Sequence, residues 1–384
     1  MPPDNKTNKK TILPSILLLI IIIFAFLILA EGIVRLSGIA SKYGPVKGLF
    51  QKDDLLDYSM APNFSGKFEK EEFSNVDIST NSLGLRDAEY KEKTSADYRI
   101  LALGDSFAWG AYGTSLNQTF LKILEKKLNQ NPDKSSYQVI NMGVPGYGTD
   151  QELLYLENKG IKLKPDLAVV NFFVGNDFHD NAQSGELTVK DGYLVTNKIT
   201  ETAFQKLRNF LVLHSHLYRI SEKGMTYLFG SFLQAGVKNS QYGSYESQLF
   251  ANPASDEMKK EIEVTEKILD NLNTYTKKNN MKLAIAIIPL NYQIDESQKQ
   301  VFIRNNFNQK QNYDMEQPQK VIKDWAKKNN VFAIDLLPEL SKINDNGDLY
   351  WKLNGHFNSK GNEAVAGIIY YELLNHQNLI IKSK

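Results

Sequence analysis

Four short polar segments of this 384-residue chain carry side chains suited to acyl chemistry. Gly104-Asp105-Ser106-Phe107 offers a hydroxyl on a glycine turn, and Asn141-Met142-Gly143-Val144-Pro145-Gly146-Tyr147-Gly148 a glycine-rich stretch. Gly175-Asn176-Asp177 offers a side-chain amide, and Asn354-Gly355-His356-Phe357-Asn358 a histidine on a late loop. A serine exposed by a glycine turn can attack a carbonyl carbon when a histidine takes its proton. Backbone N–H groups at a glycine turn, with an asparagine amide, can hold the developing oxyanion. Each segment alone is a common turn. Four of them in this order, each behind its own strand-like run, point to one site.

The elements that would position these residues follow from hydrophobic texture. Short continuous apolar runs at Ile100–Leu103, Val139–Ile140, Leu167–Val174, Leu283–Ile288 and Val331–Ile334 lack polar alternation, as strands covered on both faces do. Between them lie segments of helical period. Phe120, Leu124 and Leu128 share a face, as do Met258, Ile262 and Leu269 with Leu272 beside them, and Val365, Ile369 and Leu373. Gln317–Lys328 reads as a further helix. Strands alternating with helices predict an α/β, three-layer αβα domain over residues 98–378 with a five-stranded parallel sheet. In such a sheet, ligands bind beyond the carboxyl ends of the strands, where the four segments fall. Residues 178–254 form a long interval, with a helical Leu207–Ile220 and a Gly/Ser/Tyr-rich part, and read as an insertion and candidate lid. Residues 31–97 read as a polar, turn-rich approach segment, in which the Lys67–Glu72 run reads as a solvated face.

On these four segments the chain resembles the SGNH (GDSL-type) hydrolase superfamily, over about residues 81–375. The resemblance implies a flavodoxin-like SGNH domain, with Ser106 as nucleophile and His356 as general base. It implies an oxyanion hole of Ser106 N–H, Gly146 N–H and the Asn176 amide, with no cofactor and no metal. Leu83-Gly84-Leu85-Arg86-Asp87 is similar to a segment of membrane-tethered members, some with likeness to alginate O-acetyltransferase-like proteins. Ala108 fills the last position of a would-be G-x-S-x-G elbow, which argues against an α/β-hydrolase.

One departure bears on mechanism. The family places an aspartate three residues before its histidine, or two in the acetyltransferase-like branch; here Leu353 and Asn354 stand there. In the serine-protease template the aspartate fixes the imidazole tautomer, and its replacement by asparagine costs ~10⁴ in turnover. Asn354 could orient His356 as a weaker partner, or Asp335 or Asp348 could supply a carboxylate from elsewhere. A third reading is a site that has lost activity and keeps binding.

Composition excludes several alternatives. Lys+Arg is 45 against Asp+Glu 44, so a nucleic-acid partner is disfavoured. With no cysteine there is no disulfide framework, thiolate zinc site, cysteine nucleophile or lipoprotein anchor. The five histidines show no HExxH spacing. His214 and His216 read as packing or surface residues, and His179 with Asp180 as a border of the site. Asp105 and Asp177 read as turn-bonding residues at strand ends. Trp109 and Tyr112 read equally as packing or as substrate stacking.

Residues 12–30 are apolar apart from Pro14 and Ser15, long enough to cross a ~30 Å hydrocarbon core. Pro14 would fall in the first turn of that helix. Lys6, Lys9 and Lys10 precede the span and predict a single-pass anchor with residues 1–11 cytoplasmic and the body extracytoplasmic, periplasmic or at the cell surface. A signal peptide cut after Ala30 is the alternative; the run is longer than a usual signal core of ~7–15 residues. Together these readings predict a membrane-tethered serine esterase that hydrolyses or transfers an O-acyl group on a cell-surface glycan or lipid. Its competitors are a weakened or inactive module of the same fold that binds glycans, and a tethered scaffold contacting a partner through the insertion.

Overall fold

A computed structural model describes residues 9–40, 46–70, 72–111, 113–130, 136–183, 185, 187–196, 202–222, 224–225, 245, 247–307, 311–344, 348–352 and 354–381. Tyr112, Leu353 and part of the 178–254 interval lie outside them. The chain divides into two compact units. One combines residues up to Pro45 with Ile199–Val237, and the other combines Val46–Lys198 with Lys238–Lys384.

In the larger unit the chain first makes two antiparallel hairpins: β1 (Phe50–Asp53) with β2 (Asp57–Met60), and β3 (Ser65–Lys70) with β4 (Phe73–Ser79). Residues 46–97 are therefore more ordered than an approach segment. Tyr58, Met60, Phe68, Phe73, Ile78 and Leu85 are buried in the main core, because alternate strand residues point inward. That alternation is short and interrupted by turns, which masks it in the sequence.

The main sheet follows. Strands β5 (Asp97–Gly104), β6 (Ser136–Asn141), β7 (Leu167–Phe173), β10 (Lys282–Ile288) and β11 (Phe332–Asp335) pair in parallel. Their spatial order is β11-β10-β7-β5-β6. All five predicted runs are strands of this sheet, and every residue of β5 is buried. Helices on both faces account for the missing polar alternation. One core contains Leu101, Leu103, Tyr155, Leu269 and Leu272; the other contains Ile100, Ala102, Leu124, Val365 and Ile369. The chain leaves β5 toward β6 on one side and leaves β7 toward β10 on the other, so the loops after these adjacent strands lead in opposite directions, the position at which such sheets bind ligands. A small hairpin, β8 (Leu187–Lys190) with β9 (Tyr193–Thr196), lies in the interval read as an insertion.

The smaller unit is built on helix α1 (Lys9–Ser37). Residues Pro14–Ser37 are long and apolar enough to cross a membrane. The helix begins earlier than expected, so Pro14 lies inside its second turn rather than its first.

Candidate active site

The nucleophile segment is shaped by its neighbours in sequence. β5 ends at Gly104, and Asp105 caps the short helix α2 (Ser106–Trp109) by accepting the Phe107 N–H at 2.8 Å. Ser106 is the first residue of α2, so its hydroxyl stands at the carboxyl edge of the sheet. Helix α3 (Phe120–Leu128) supports this segment from behind, with Phe120 and Leu124 in the same core as Phe107.

Ser106 Oγ lies 2.8 Å from His356 Nε2, across 250 residues of sequence. His356 Nδ1 lies 2.7 Å from Asn354 Oδ1 and 3.1 Å from the Asn354 backbone carbonyl. A backbone carbonyl can only accept, so Nδ1 carries the proton and Nε2 presents its lone pair to the serine hydroxyl. The imidazole packs on the Phe107 ring, 4.6 Å between centroids. Burial pushes its pKa down to about 4, against the Asn354 carbonyl hydrogen bond, which raises it. His356 is therefore held in its neutral form across the neutral range, with Nε2 unprotonated.

The two distant carboxylates considered as partners of His356 are engaged elsewhere. Asp335 pairs with Lys323 at 2.6 Å and accepts the Leu337 N–H, and Asp348 pairs with Lys360. Both sit where they stabilise local turns, so Asn354 is the residue that meets the ring.

The oxyanion candidates converge less simply. Gly146 adopts φ +82°, and a Cβ there would approach Leu187 Cδ1 to 2.8 Å and Tyr58 Oη to 2.9 Å. Its N–H makes no hydrogen bond among the described residues. The block's earlier glycine, Gly143, allows close approach to α2: a Cβ there would come within 2.7 Å of the Ala108 carbonyl carbon. Helix α4 (Thr149–Asn158) follows the second block, and Asn176 is the N-cap residue of helix α5 (Asp177–Ala182), its amide donating to Asp180 Oδ2 at 2.7 Å and Asp105 Oδ2 at 3.3 Å. Asp105 Oδ2 is also 3.4 Å from Ser106 Oγ. An amide hydrogen offered by Asn176 to a substrate oxygen would have to leave its longer contact with Asp105.

Asp105 and Asp177 make turn hydrogen bonds as expected, Asp177 accepting the Phe173 N–H at 2.8 Å. Burial lifts Asp105 to about 6, while hydrogen bonds from Phe107, Asn176 and Ser106 oppose the rise. Burial, followed by the Asp105 charge, also raises Glu152 and Asp177 well above the ordinary carboxyl range, so both favour the uncharged form. His179 pairs with Glu261 at 3.2 Å, while Asp180 reaches the site through Asn176. Trp109 is fully buried and packs.

Three supporting residues have roles that the sequence does not assign. Arg86 is buried; its guanidinium donates to the carbonyls of Trp109 (3.0 Å), Gly110 (2.5 Å) and Thr114 (2.5 Å) and lies over the Trp109 ring. It thereby supplies positive charge to the carbonyl end of α2. Its neighbour Asp87 accepts the Asn141 N–H at 2.9 Å and pairs with Lys122 at 2.7 Å, joining the second block to α3. The Leu83–Asp87 segment signalled both. Glu72 lies in the run read as solvated, yet its carboxylate accepts the Asn354 N–H at 2.8 Å. No local signal marks it.

The family model for the GDSL-like lipase/acylhydrolase matches residues 100–369, a span that holds all four segments. The chain belongs to the GDSL-like lipase/acylhydrolase family. Solved structures similar to this acylhydrolase include the lipase/acylhydrolase from Enterococcus faecalis, at 13% identity and TM-score 0.39, covering 73% of this chain and 96% of that one. TesA matches at 13% identity and TM-score 0.40, covering 72% and 98%. A catalytic mutant of Axe2, an acetylxylan esterase from Geobacillus stearothermophilus, matches at 15% and 0.41, covering 77% and 100%. No curated protein matches the chain. As a GDSL-like acylhydrolase the protein is a hydrolase acting on ester bonds, and the assignment rests on the family match.

Proposed function

We propose that this protein is a membrane-tethered, extracytoplasmic serine esterase whose acyl-enzyme forms on Ser106. The observation that carries the reading is the 2.8 Å contact of Ser106 Oγ with His356 Nε2. His356 takes the hydroxyl proton as Oγ bonds to the ester carbonyl carbon. The oxyanion is held by Ser106 N–H, Gly146 N–H and the Asn176 amide. As the intermediate collapses, the ester C–O bond breaks and the imidazolium gives its proton to the departing alcohol. Water, or an acceptor hydroxyl, then attacks the acyl-enzyme with His356 again as base, and Ser106 recovers its proton.

Tethering is supported by α1, with its apolar stretch Pro14–Ser37 and the lysines at 6, 9 and 10 before it. An anchored extracytoplasmic esterase meets acylated glycans and lipids of the cell surface, which are the substrate classes proposed. The test is a fluorophosphonate adduct on the full chain in detergent, located by mass spectrometry. An adduct on Ser106 that disappears in His356→Ala supports the reading. A folded protein without an adduct supports the non-catalytic binding module instead.

A further inference from the structure

The smaller unit contains a second apolar surface that the catalytic chemistry does not use. Helix α6 (Ala203–His214) opens with a capping box in which Thr202 and Gln205 bond reciprocally. At 100° per residue, Phe204, Leu207, Phe210 and Leu211 fall on one side of it, and Gln205, Lys206, Arg208 and Asn209 on the other. Phe204 is 73% exposed, and Leu207 and Phe210 are more than half exposed. Three large apolar side chains at helical spacing, with basic residues opposite, form the pattern of a helix lying in a membrane interface.

A second observation fixes where along the membrane normal such a helix would lie. A short helix at residues 216–222 follows α6, and the joint between the two is fastened to the last turns of α1. The Glu31 carboxylate accepts the N–H groups of His216 and Leu217, each at 2.9 Å, and the Ser215 hydroxyl at 2.8 Å. Arg35 binds Glu31 at 2.6 Å and the His214 carbonyl at 2.5 Å. Arg219 closes the end of α6 by donating to the carbonyls of Val212 and Leu213. Just below this polar knot, a groove of about 500 Å³ is walled by Phe24, Leu27 and Ile28 of α1 together with Leu211, Leu217 and Tyr218. Phe24, Leu27 and Ile28 belong to the exposed apolar surface of α1. Glu31 and Arg35 thus mark the level at which α1 leaves hydrocarbon, and α6 is held at that level.

We infer that residues 202–222 form an interfacial helical pair that lies in the lipid bilayer surface beside α1, with Phe204, Leu207 and Phe210 in the acyl-chain boundary and Lys206 and Arg208 toward the headgroups. The occupant of this surface is the bilayer itself, because Leu211 of the same apolar side of α6 shares the groove with Phe24, Leu27 and Ile28 of the stretch long and apolar enough to span it. The inference rests on the tethered reading given above. It replaces the expectation of a lid for this part of the 178–254 interval with that of a second membrane contact.

The chain has no cysteine, which makes the test direct. The full-length protein is reconstituted in phosphatidylcholine–phosphatidylglycerol vesicles as single-cysteine variants carrying a bimane label. The variants are Phe204→Cys, Leu207→Cys, Phe210→Cys, Lys206→Cys and Leu19→Cys, with nitroxide lipids as quenchers. Leu19→Cys reports the span itself. Labels at 204, 207 and 210 are expected to lose most of their emission to a shallow nitroxide, and the label at 206 to keep it. If 204, 207 and 210 are quenched no more than 206 while 19 is quenched, the interfacial helix is overturned and the anchor stands. If 19 is also unquenched, the anchor falls and this inference with it. All these positions are exposed, so the labels leave the packing of the unit intact.

Discussion

Asn354 offers two oxygens to a single nitrogen of His356: its side-chain Oδ1 at 2.7 Å and its own backbone carbonyl at 3.1 Å from Nδ1. The tautomer that an aspartate would enforce is thus enforced by a neutral residue. What is missing is charge. An imidazolium formed during attack gains no carboxylate from Asn354, and burial already disfavours it, which is why the ring sits at about 4.

The sign of the resulting pH dependence follows. The base proposed above is the neutral imidazole, and a lowered pKa extends that form to more acidic solution. Ester turnover is expected to persist to about pH 5 and to fall as pH drops through about 4. In Asn354→Asp the new carboxylate favours imidazolium, so the acid limb moves upward toward the ordinary histidine range. Turnover at neutral pH should rise by about 10–10²-fold, within the ~10⁴ that the reverse change costs in the serine-protease template. A kcat/KM profile of both proteins checks this; an unmoved acid limb would show that Asn354 does not control the ring.

Glu72 fixes the loop that carries Asn354 through its bond to the Asn354 N–H. Glu72→Gln keeps an accepting oxygen and should leave turnover within about twofold, whereas Glu72→Ala should lower it by about tenfold through misplacement of His356. The readout is kcat, with KM expected to change little. Equal loss in both variants would mean that the charge, rather than the hydrogen bond, matters.

Gly146→Ala tests the proposed second oxyanion donor. The residue sits at φ +82° with Leu187 and Tyr58 closing the space a methyl would need. We expect about 1–3 kcal/mol of destabilisation from backbone strain, read by urea unfolding. Displacement of its N–H should lower kcat by about 10²-fold, as loss of one oxyanion-hole donor does. Full activity in the folded variant would remove Gly146 from the oxyanion hole.

Arg86→Met removes the guanidinium from the Trp109 and Gly110 carbonyls at the end of α2, from the Thr114 carbonyl beyond it, and from the Trp109 ring. Buried carbonyls left without donors should cost about 2–4 kcal/mol in denaturant unfolding. Activity should fall in step, because α2 begins with Ser106. Stability unchanged in Arg86→Met would show that water replaces the clamp.

Ser106→Ala should abolish turnover by at least ~10³-fold while the unfolding midpoint stays within experimental scatter. Residual activity at the original rate would place the nucleophile elsewhere.

The amino-acid sequence by itself determined the five strands, since a strand buried on both faces must be continuously apolar, as Ile100–Leu103 and Leu283–Ile288 are. It also determined the order of the four polar segments, because strand-end turns are local and glycine-rich. Residues that act across the chain were invisible to it. Glu72 and Asn354 are 282 positions apart, and nothing in the Lys67–Glu72 run distinguishes a carboxylate facing water from one holding a catalytic loop. Arg86 stands in a segment that the sequence marks, yet its bonds to the carbonyls at and beyond the end of α2 exist only in the fold. Asp335 and Asp348 are carboxylates that the sequence offers to His356 from elsewhere in the chain, and packing gives them to Lys323 and Lys360 instead. Asn354 was legible as a residue and not as a role, because whether an amide can orient a ring depends on where its two oxygens fall. Local chemistry is written along the chain; the choice among equally suitable partners is made by which of them the folded backbone brings within hydrogen-bonding distance.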